Sequence, residues 1–176
     1  MFGNCKYITS KAVKIGNSPS RAGYTLIEIL VGLTIIGIIF GVGFSGFREF
    51  SRRQSLTGGA KTLVGDLRLV QEQAIAGKKP DDLKCTNGLL GGYNFRVIPP
   101  ATYQIEADCT EGVVVIKTVA MSSDLTLTAP SVNPVLFKAL GQGTNISEGE
   151  VTVVTITQGG TNAVAPVTIS SGGEIK

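Results

Sequence analysis

The hydrophobic pattern of the chain begins with one long uncharged segment. Residues 24–47 read YTLIEILVGLTIIGIIFGVGFSGF, and Glu28 carries their only charge. About 20 such residues suffice to cross a bilayer as an α-helix. The small residue Gly23 precedes this run, whereas a removable secretory signal has a shorter apolar region with its small-residue cleavage site after it. The pattern therefore predicts a membrane-spanning helix that a cut after Gly23 would leave in the mature protein.

A one-sided helical pattern follows the uncharged segment. Apolar residues recur at three- and four-residue steps and define one helix face: Leu56, Ala60, Leu63, Val64, Leu67, Val70 and Ala74. Polar residues occupy positions between them: Arg52, Arg53, Lys61, Asp66, Arg68 and Glu72. Gly58 and Gly59 each weaken a helix by about 1 kcal/mol relative to Ala, which predicts a bend or local melting there. Gly77 and Pro80 are residues that typically end a helix. We expect one helix from about residue 25 to 76.

The rest of the chain changes to short runs of β-branched and aromatic residues, broken by Gly, Pro and Asn. Seven runs predict strands: 93–98, 102–107, 113–119, 125–128, 135–140, 151–157 and 167–170. Alternation is clearest in the first run, where Tyr93, Phe95 and Val97 share one face. Asn94 and Arg96 lie on the other. We therefore expect an α+β protein in which the amphipathic part of the helix packs on one side of an antiparallel sheet.

Composition narrows the chemistry that the chain can perform. The chain has no His, which excludes a His-based triad, a His-ligated metal and a His proton shuttle. It also lacks a phosphate-binding G-x-x-x-x-G-K-[ST] loop. Glu106, Asp108 and Glu111 lie near Cys109 without a base or a metal partner. We expect no catalytic site, metal or cofactor, and the alternative of a membrane-tethered enzyme is disfavoured.

Charge is distributed unevenly along the chain. The formal net charge is +3, but the first 23 residues contain no acid. They contain four cations: Lys6, Lys11, Lys14 and Arg21. Such a basic segment ahead of an apolar span favours retention on the cytoplasmic side of a membrane. Farther on, Lys78, Lys79 and Lys84 gather around Asp81 and Asp82, which indicates a solvated loop rather than a nucleic-acid site.

The cysteines divide into one in the basic segment and a later pair. Removing the segment that contains Cys5 leaves Cys85 and Cys109, an even number that predicts a disulfide formed outside the cytosol. Closing a loop of this length would contribute about 3 kcal/mol. Free buried thiols are the alternative, and the close C-x-x-C spacing of a redox pair is absent.

The string RAGYTLIE at residues 21–28 resembles the processing site of type IV prepilins. In that family Gly precedes the cut and an acid occupies the fifth mature position, which Gly23 and Glu28 match. The first mature residue is aromatic here, Tyr24, although Phe is commoner in the family. The resemblance implies that a membrane aspartyl peptidase removes residues 1–23 on the cytoplasmic side and methylates the new terminal amine of Tyr24.

Glu28 needs a physical explanation in an apolar helix. A carboxylate one turn inside a membrane helix costs a few kcal/mol and is expected to face a partner. Cleavage after Gly23 creates a cation, the α-ammonium of Tyr24, and Glu28 could pair with that amine on a neighbouring subunit. Five glycines would let such helices approach closely: Gly32, Gly37, Gly41, Gly43 and Gly46. The alternative is that Glu28 snorkels at the end of a simple anchor helix and the glycines only reflect membrane composition.

The later part of the chain is similar to minor pilins and minor pseudopilins of the FimT/GspH type. The similarity rests on residues 56–75 and on the ending VTIS at 167–170, followed by Gly173. Two positions depart from family patterns. The proline that kinks many major pilins is Ser45 here, so a kink would have to come from the neighbouring glycines. DNA-binding members carry arginines after the terminal glycine, whereas residues 174–176 here read EIK, so DNA capture by this tail is doubtful.

Together with these patterns, the resemblance implies a type IV pilin fold with four parts. They are a cleaved leader (1–23), a membrane-spanning and filament-core helix (24–47), its amphipathic continuation (48–77) and a β-rich head (78–176). The expected function is that of a structural subunit of a type IV pilus or of a secretion or competence pseudopilus. Before assembly it would cross the cytoplasmic membrane once, and afterwards its head would lie outside the cytoplasm. The implied partners are other pilin subunits, the prepilin peptidase and an inner-membrane assembly platform. The alternative is a pilus-tip module that binds DNA, a surface or secreted cargo.

Overall fold

The computed structural model describes residues 23–176, without the side chains of residues 42–45. The predicted leader, apart from Gly23, therefore lies outside the described residues, as does the side chain of Ser45, where a kink was considered. The described residues divide into two units, with the boundary between Gly43 and Phe44.

Helix α1 runs from Leu26 to Ile75, close to the expected limits. Helical hydrogen bonding continues through Gly58 and Gly59, so the predicted local melting is wrong. The reason is tertiary packing, because a Cβ at Gly59 would lie 2.8 Å from Leu125 Cδ1 and 2.9 Å from Met121 Cε. The missing side chain thus lets the head pack directly on the helix, and this contact supports the helix where its propensity is weakest.

The helix ends where Gly77 was expected to stop it. Gly77 adopts a left-handed φ of 60°. Its N–H donates to the carbonyl of Ala74 at 3.0 Å, and the N–H of Lys78 donates to the carbonyl of Gln73 at 3.1 Å. These two bonds form a Schellman motif, which satisfies carbonyls that the last helical turn leaves free.

Seven strands form the head, one at each run that the sequence predicted. They are β1 (Leu90–Ile98), β2 (Thr102–Cys109), β3 (Gly112–Ala120), β4 (Leu125–Thr128), β5 (Val135–Lys138), β6 (Val151–Gln158) and β7 (Val164–Ser170). The fifth strand is shorter than expected, because Ala139–Gly141 forms a 3₁₀ turn. A short helix that the sequence did not predict, α2 (Leu83–Thr86), precedes β1.

The strands form two antiparallel sheets, so the expectation of one sheet is wrong. Their orders are β3-β2-β1-β5 and β4-β6-β7. The linker before β5 ends in Pro134, which has no N–H for a ladder. Beside it the amide of Asn133 bonds both backbone groups of Val97, accepting from its N–H at 3.0 Å and donating to its carbonyl at 2.9 Å. This side chain takes the place of further pairing between β1 and β5, which ends at Phe95 and Val135.

The core lies between the amphipathic part of α1 and the strands. The predicted helix face is confirmed, since its members are buried or packed against the core: Leu56, Ala60, Leu63, Val64, Leu67, Val70 and Ala74. Tyr93, Phe95 and Val97 are buried as expected. Two residues assigned to polar faces are also buried, Asn94 at 7% exposure and Asp66 at 8%. For Asp66 the expectation is wrong because β2 and β3 supply polar partners inside the head.

Candidate processing and assembly site

The predicted processing site lies directly before helix α1. Gly23, Tyr24 and Thr25 are exposed and have no regular secondary structure. Nothing lies within 4 Å of the position that a Cβ at Gly23 would occupy. An unstructured, open backbone is the form in which a peptide bond is accessible to a peptidase.

Thr25 caps the helix and involves Glu28 in doing so. The N–H of Glu28 donates to Thr25 Oγ1 at 3.3 Å and to the Thr25 carbonyl at 3.1 Å. The sequence T-x-x-E at 25–28 is a capping-box pattern, in which the side chain at the first position satisfies a free N–H of the first turn. Sequence analysis missed this role, although the spacing from Thr25 to Glu28 was sufficient to find it.

The position of Glu28 near the helix start favours its negative charge, although the neighbouring side chains are apolar. It lies in the first turn, where the partial positive charge of the helix N-terminus favours a carboxylate. Its side chain is exposed, and none of the ion pairs formed by residues 23–176 involves it. In this uncut chain the nitrogen of Tyr24 is a peptide N–H, so the ammonium partner expected after cleavage does not yet exist.

The helix that follows presents an apolar surface on all sides. Leu26 is 83% exposed and Ile38 is 68% exposed. The segment is long and apolar enough to cross a membrane, and none of its most apolar stretch is buried within the protein. A Cβ would meet no atom within 4 Å at four of its glycines: Gly32, Gly37, Gly41 and Gly46. This surface requires lipid or other helices to cover it.

A disulfide links the start of the head to the first sheet. Cys85 in α2 and Cys109 at the end of β2 are bonded, with their Cα atoms 5.2 Å apart, and both are buried. Asp82 caps α2 by accepting from the N–H of Lys84 at 3.0 Å. Lys79 Nζ donates to the carbonyl of Gly88 at 2.7 Å. The lysine-rich loop is therefore partly engaged in holding α2 in place.

A polar cluster within the head joins the helix to the first sheet. The hydroxyl of Tyr103 donates to Asp66 Oδ2 at 2.7 Å, and Lys117 Nζ lies 2.8 Å from Asp66 Oδ1. Burial first, and the hydrogen bond to Asp66 second, raise the pKa of Tyr103 above its usual range. The position of Asp66 gave a signal, since it lies three residues after Leu63 and four before Val70 on the buried face.

A second buried carboxylate is neutralised within the same sheet. Glu106 is 5% exposed, and its carboxylate accepts from Arg96 Nε at 3.1 Å and from Arg96 Nη2 at 3.2 Å. This two-bond geometry is typical of strong arginine–carboxylate pairs. Across residues 23–176 the structure contains no cluster of three or more His, Cys, Asp or Glu side chains that could hold a metal ion.

The prokaryotic N-terminal methylation motif matches residues 18–44, which include Gly23, Tyr24 and Glu28. No curated protein and no solved structure matches the chain. The chain thus carries the signal of type IV pilin-like prepilins. Its long N-terminal helix and antiparallel β head form an α+β protein, an arrangement that is consistent with the type IV pilin fold.

Proposed function

We propose that this chain is a prepilin whose mature form is a structural subunit, a minor pilin or pseudopilin, of a type IV pilus or of a secretion or competence pseudopilus. The observation that carries the proposal is the methylation motif followed by an apolar helix with no cover of its own. Such a helix is stable only inside a bilayer or a bundle of similar helices, and an assembled filament provides the second environment.

In this proposal, processing converts an anchored precursor into an assembly-competent subunit. The peptidase hydrolyses the bond between Gly23 and Tyr24 on the cytoplasmic side of the membrane, and the amine of Tyr24 is then methylated. Hydrolysis adds one positive charge next to the helix start, because an α-ammonium replaces a neutral peptide group. The remaining helix keeps the protein in the cytoplasmic membrane, with its head on the outer side, until assembly.

Glu28 would then direct the packing of helices in the filament. A carboxylate buried among apolar helices costs several kcal/mol if it stays unpaired. The ammonium of Tyr24 on a neighbouring subunit supplies the missing charge, so only one axial register satisfies both groups. The four exposed glycines of the span would let neighbouring backbones approach closely.

The contacts of the head support a structural role better than capture of DNA. Lys79 and Lys84 bond to backbone carbonyls of the head, at 2.7 Å and 3.5 Å respectively. The C-terminal residue Lys176 is paired through both backbone groups with Thr168, at 2.9 and 3.0 Å. These contacts hold the lysine loop and the tail against the fold, which favours the filament subunit over a DNA-binding tip module.

Processing is tested by mass spectrometry of the mature N-terminus. We expect the isolated filament or membrane protein to begin with N-methylated Tyr24. Gly23→Val should leave the precursor uncut, because its branched side chain fills the position next to the scissile bond. A wild-type protein that retains Met1 in cells with an active peptidase would refute the proposal.

Assembly is tested with two replacements of Glu28. Both Glu28→Val and Glu28→Gln should be cut normally and enter sheared filaments poorly, since neither carries the negative charge that pairs with the ammonium. Gln is the informative control because a capping box accepts Gln as well as Glu. Normal incorporation of Glu28→Gln would show that capping suffices and that charge pairing is not required.

A further inference from the structure

An apolar groove opens where the helix enters the head. It has a volume of about 610 Å³ and lies between the helix and the loop that connects β3 to β4. Phe47 and Phe50 line it from the helix, and Met121 and Leu125 line it from the head. Both phenylalanines are largely exposed, at 67% and 63%. The groove is open to its surroundings, and polar side chains such as Gln54 and Thr62 complete its lining.

Two arginines border the groove on the membrane side. A cleft of about 330 Å³, lined by Phe47, Arg48, Ser51 and Arg52, shares Phe47 and Ser51 with the groove. Arg53 is paired with Glu49 at 3.0 Å, whereas none of the ion pairs of residues 23–176 involves Arg48 or Arg52. Arg48 is exposed, whereas Arg52 is half-buried and its guanidinium carbon lies 3.5 Å from the position that a Cβ at Gly160 would occupy. The two cationic groups thus lie one helical turn apart at the cleft, where an anion could approach both.

The distance along the helix places this region at a membrane surface. The 24 residues from Tyr24 to Phe47 extend about 36 Å as a helix. The hydrocarbon core of a bilayer is about 30 Å thick. Phe47 and Phe50 then lie at the boundary, where aromatic side chains are favoured, and Arg48 and Arg52 lie among the lipid headgroups.

We propose that, before assembly, this groove binds a phospholipid with an anionic headgroup from the outer leaflet of the cytoplasmic membrane. The headgroup phosphate lies between Arg48 and Arg52, and the upper part of an acyl chain packs on Phe47, Phe50 and Met121. The proposal rests on the anchoring of the unassembled subunit in the membrane and does not require filament assembly. It assigns a lipid partner to side chains that the proposed helix pairing leaves unused.

The test uses the absence of Trp from the natural sequence. Phe50→Trp places a single fluorophore in the groove of the full chain, reconstituted in phosphatidylcholine vesicles. Equal small fractions of brominated phosphatidylcholine or brominated phosphatidylglycerol then serve as quenchers. Since each surface cation enriches anionic lipid by roughly fivefold, we expect the phosphatidylglycerol quencher to be several times more effective. Leu89→Trp, on the loop before β1, should not be quenched by either lipid.

Charge variants of the reporter protein identify the residues responsible. Arg48→Gln with Arg52→Gln should make the two quenchers equally effective. Lys61→Gln removes one positive charge about 14 Å beyond Arg52 and about 20 Å beyond Arg48 along the helix. Both distances exceed the screening length of physiological salt, so this variant should leave the preference unchanged. Flotation of the vesicles reports separately whether the protein has inserted.

Three results would overturn the proposal. Equal quenching by both lipids in the unmodified reporter would show a membrane contact without an anionic-lipid site. Absence of quenching in inserted protein would show that the groove does not face lipid. Quenching by both lipids that declines together as the protein-to-lipid ratio rises would show that the helix of a second copy occupies the groove. None of these results depends on processing or filament assembly, so they leave the proposed function intact.

Discussion

The buried bond between Tyr103 and Asp66 allows the energetics of the head to be tested directly. Tyr103→Phe removes one hydroxyl and leaves the ring in the core, so it creates no large cavity. Asp66 keeps its contact with Lys117 at 2.8 Å, and the carboxylate therefore stays neutralised. The substitution isolates a single hydrogen bond of 2.7 Å to a charged acceptor.

The expected loss of stability depends on the charge of the hydrogen-bond acceptor, Asp66. Hydrogen bonds to charged groups contribute about 1.5–3 kcal/mol to stability. Tyr103→Phe should cost an amount near the lower limit, because Asp66 keeps its contact with Lys117. Asp66→Ala should cost about 2–3 kcal/mol, because it leaves the Tyr103 hydroxyl without an acceptor. The loss of the Lys117 pair adds little, since that lysine side chain is 45% exposed. The double variant should cost about 1–2 kcal/mol less than the sum, because one bond is removed in both single variants.

Urea unfolding of the full chain in detergent micelles, followed by far-UV circular dichroism, measures these differences. Tyr93→Phe is the matched control, since its hydroxyl donates to the backbone carbonyl of Lys78 at 2.5 Å and does not involve Asp66. The cycle of Tyr93 with Asp66 should be additive. Additivity within about 0.5 kcal/mol in the Tyr103–Asp66 cycle would refute the assigned energy.

The same tyrosine predicts how stability depends on alkaline pH. Burial raises the pKa of Tyr103 in the folded protein above the value of about 10 that it has when unfolded. The stability that the protonated hydroxyl contributes is therefore complete below pH 10. As the pH rises above 10, the free energy of unfolding falls by up to about 1.4 kcal/mol per pH unit. Tyr103→Phe should show a shallower alkaline decline than wild type. Identical slopes in the two proteins would contradict the assignment.

Further predictions concern glycines and the disulfide, all measured by the same unfolding assay. Gly58→Ala meets no neighbouring atom and should stabilise by up to about 1 kcal/mol, whereas Gly59→Ala presses on buried Leu125 and should be less stable than Gly58→Ala by about 1–2 kcal/mol. Gly92→Ala would place its Cβ against the carbonyl oxygen of Phe137 and should cost roughly 1–3 kcal/mol by disturbing the pairing of β1 with β5. Reduction of the disulfide should cost about 3 kcal/mol, and an unchanged midpoint after reduction would contradict its structural role.

Periodicity in the sequence predicted most of the secondary structure. The helix from Leu26 to Ile75 and all seven strands form where local patterns placed them. These patterns succeed because a helix face repeats at three and four residues and a strand face at two, so one buried surface determines both. Gly77 also ended the helix as expected, because its left-handed conformation is a local property of the residue.

Contacts between residues that are far apart in the sequence could not be predicted from such local patterns. Asp66 was assigned to the polar surface, although its phase matches the buried face. Only the approach of Tyr103 from β2 and Lys117 from β3 shows how a carboxylate is accommodated there. Gly59 was interpreted through helix propensity alone, but its contact with Leu125 makes it a packing position. In each case the deciding atoms lie more than 30 residues away in the chain.

The sequence by itself determined the prepilin signal, the apolar span and the order of helix and strands. Each of these features consists of contiguous residues. A peptidase or a bilayer also interacts with contiguous residues. The tertiary structure decided that the strands divide into two sheets, that two buried carboxylates find partners on other elements and that two arginines border an apolar groove. The physical reason is that burial, desolvation and charge pairing depend on neighbours in space, which a linear pattern does not specify.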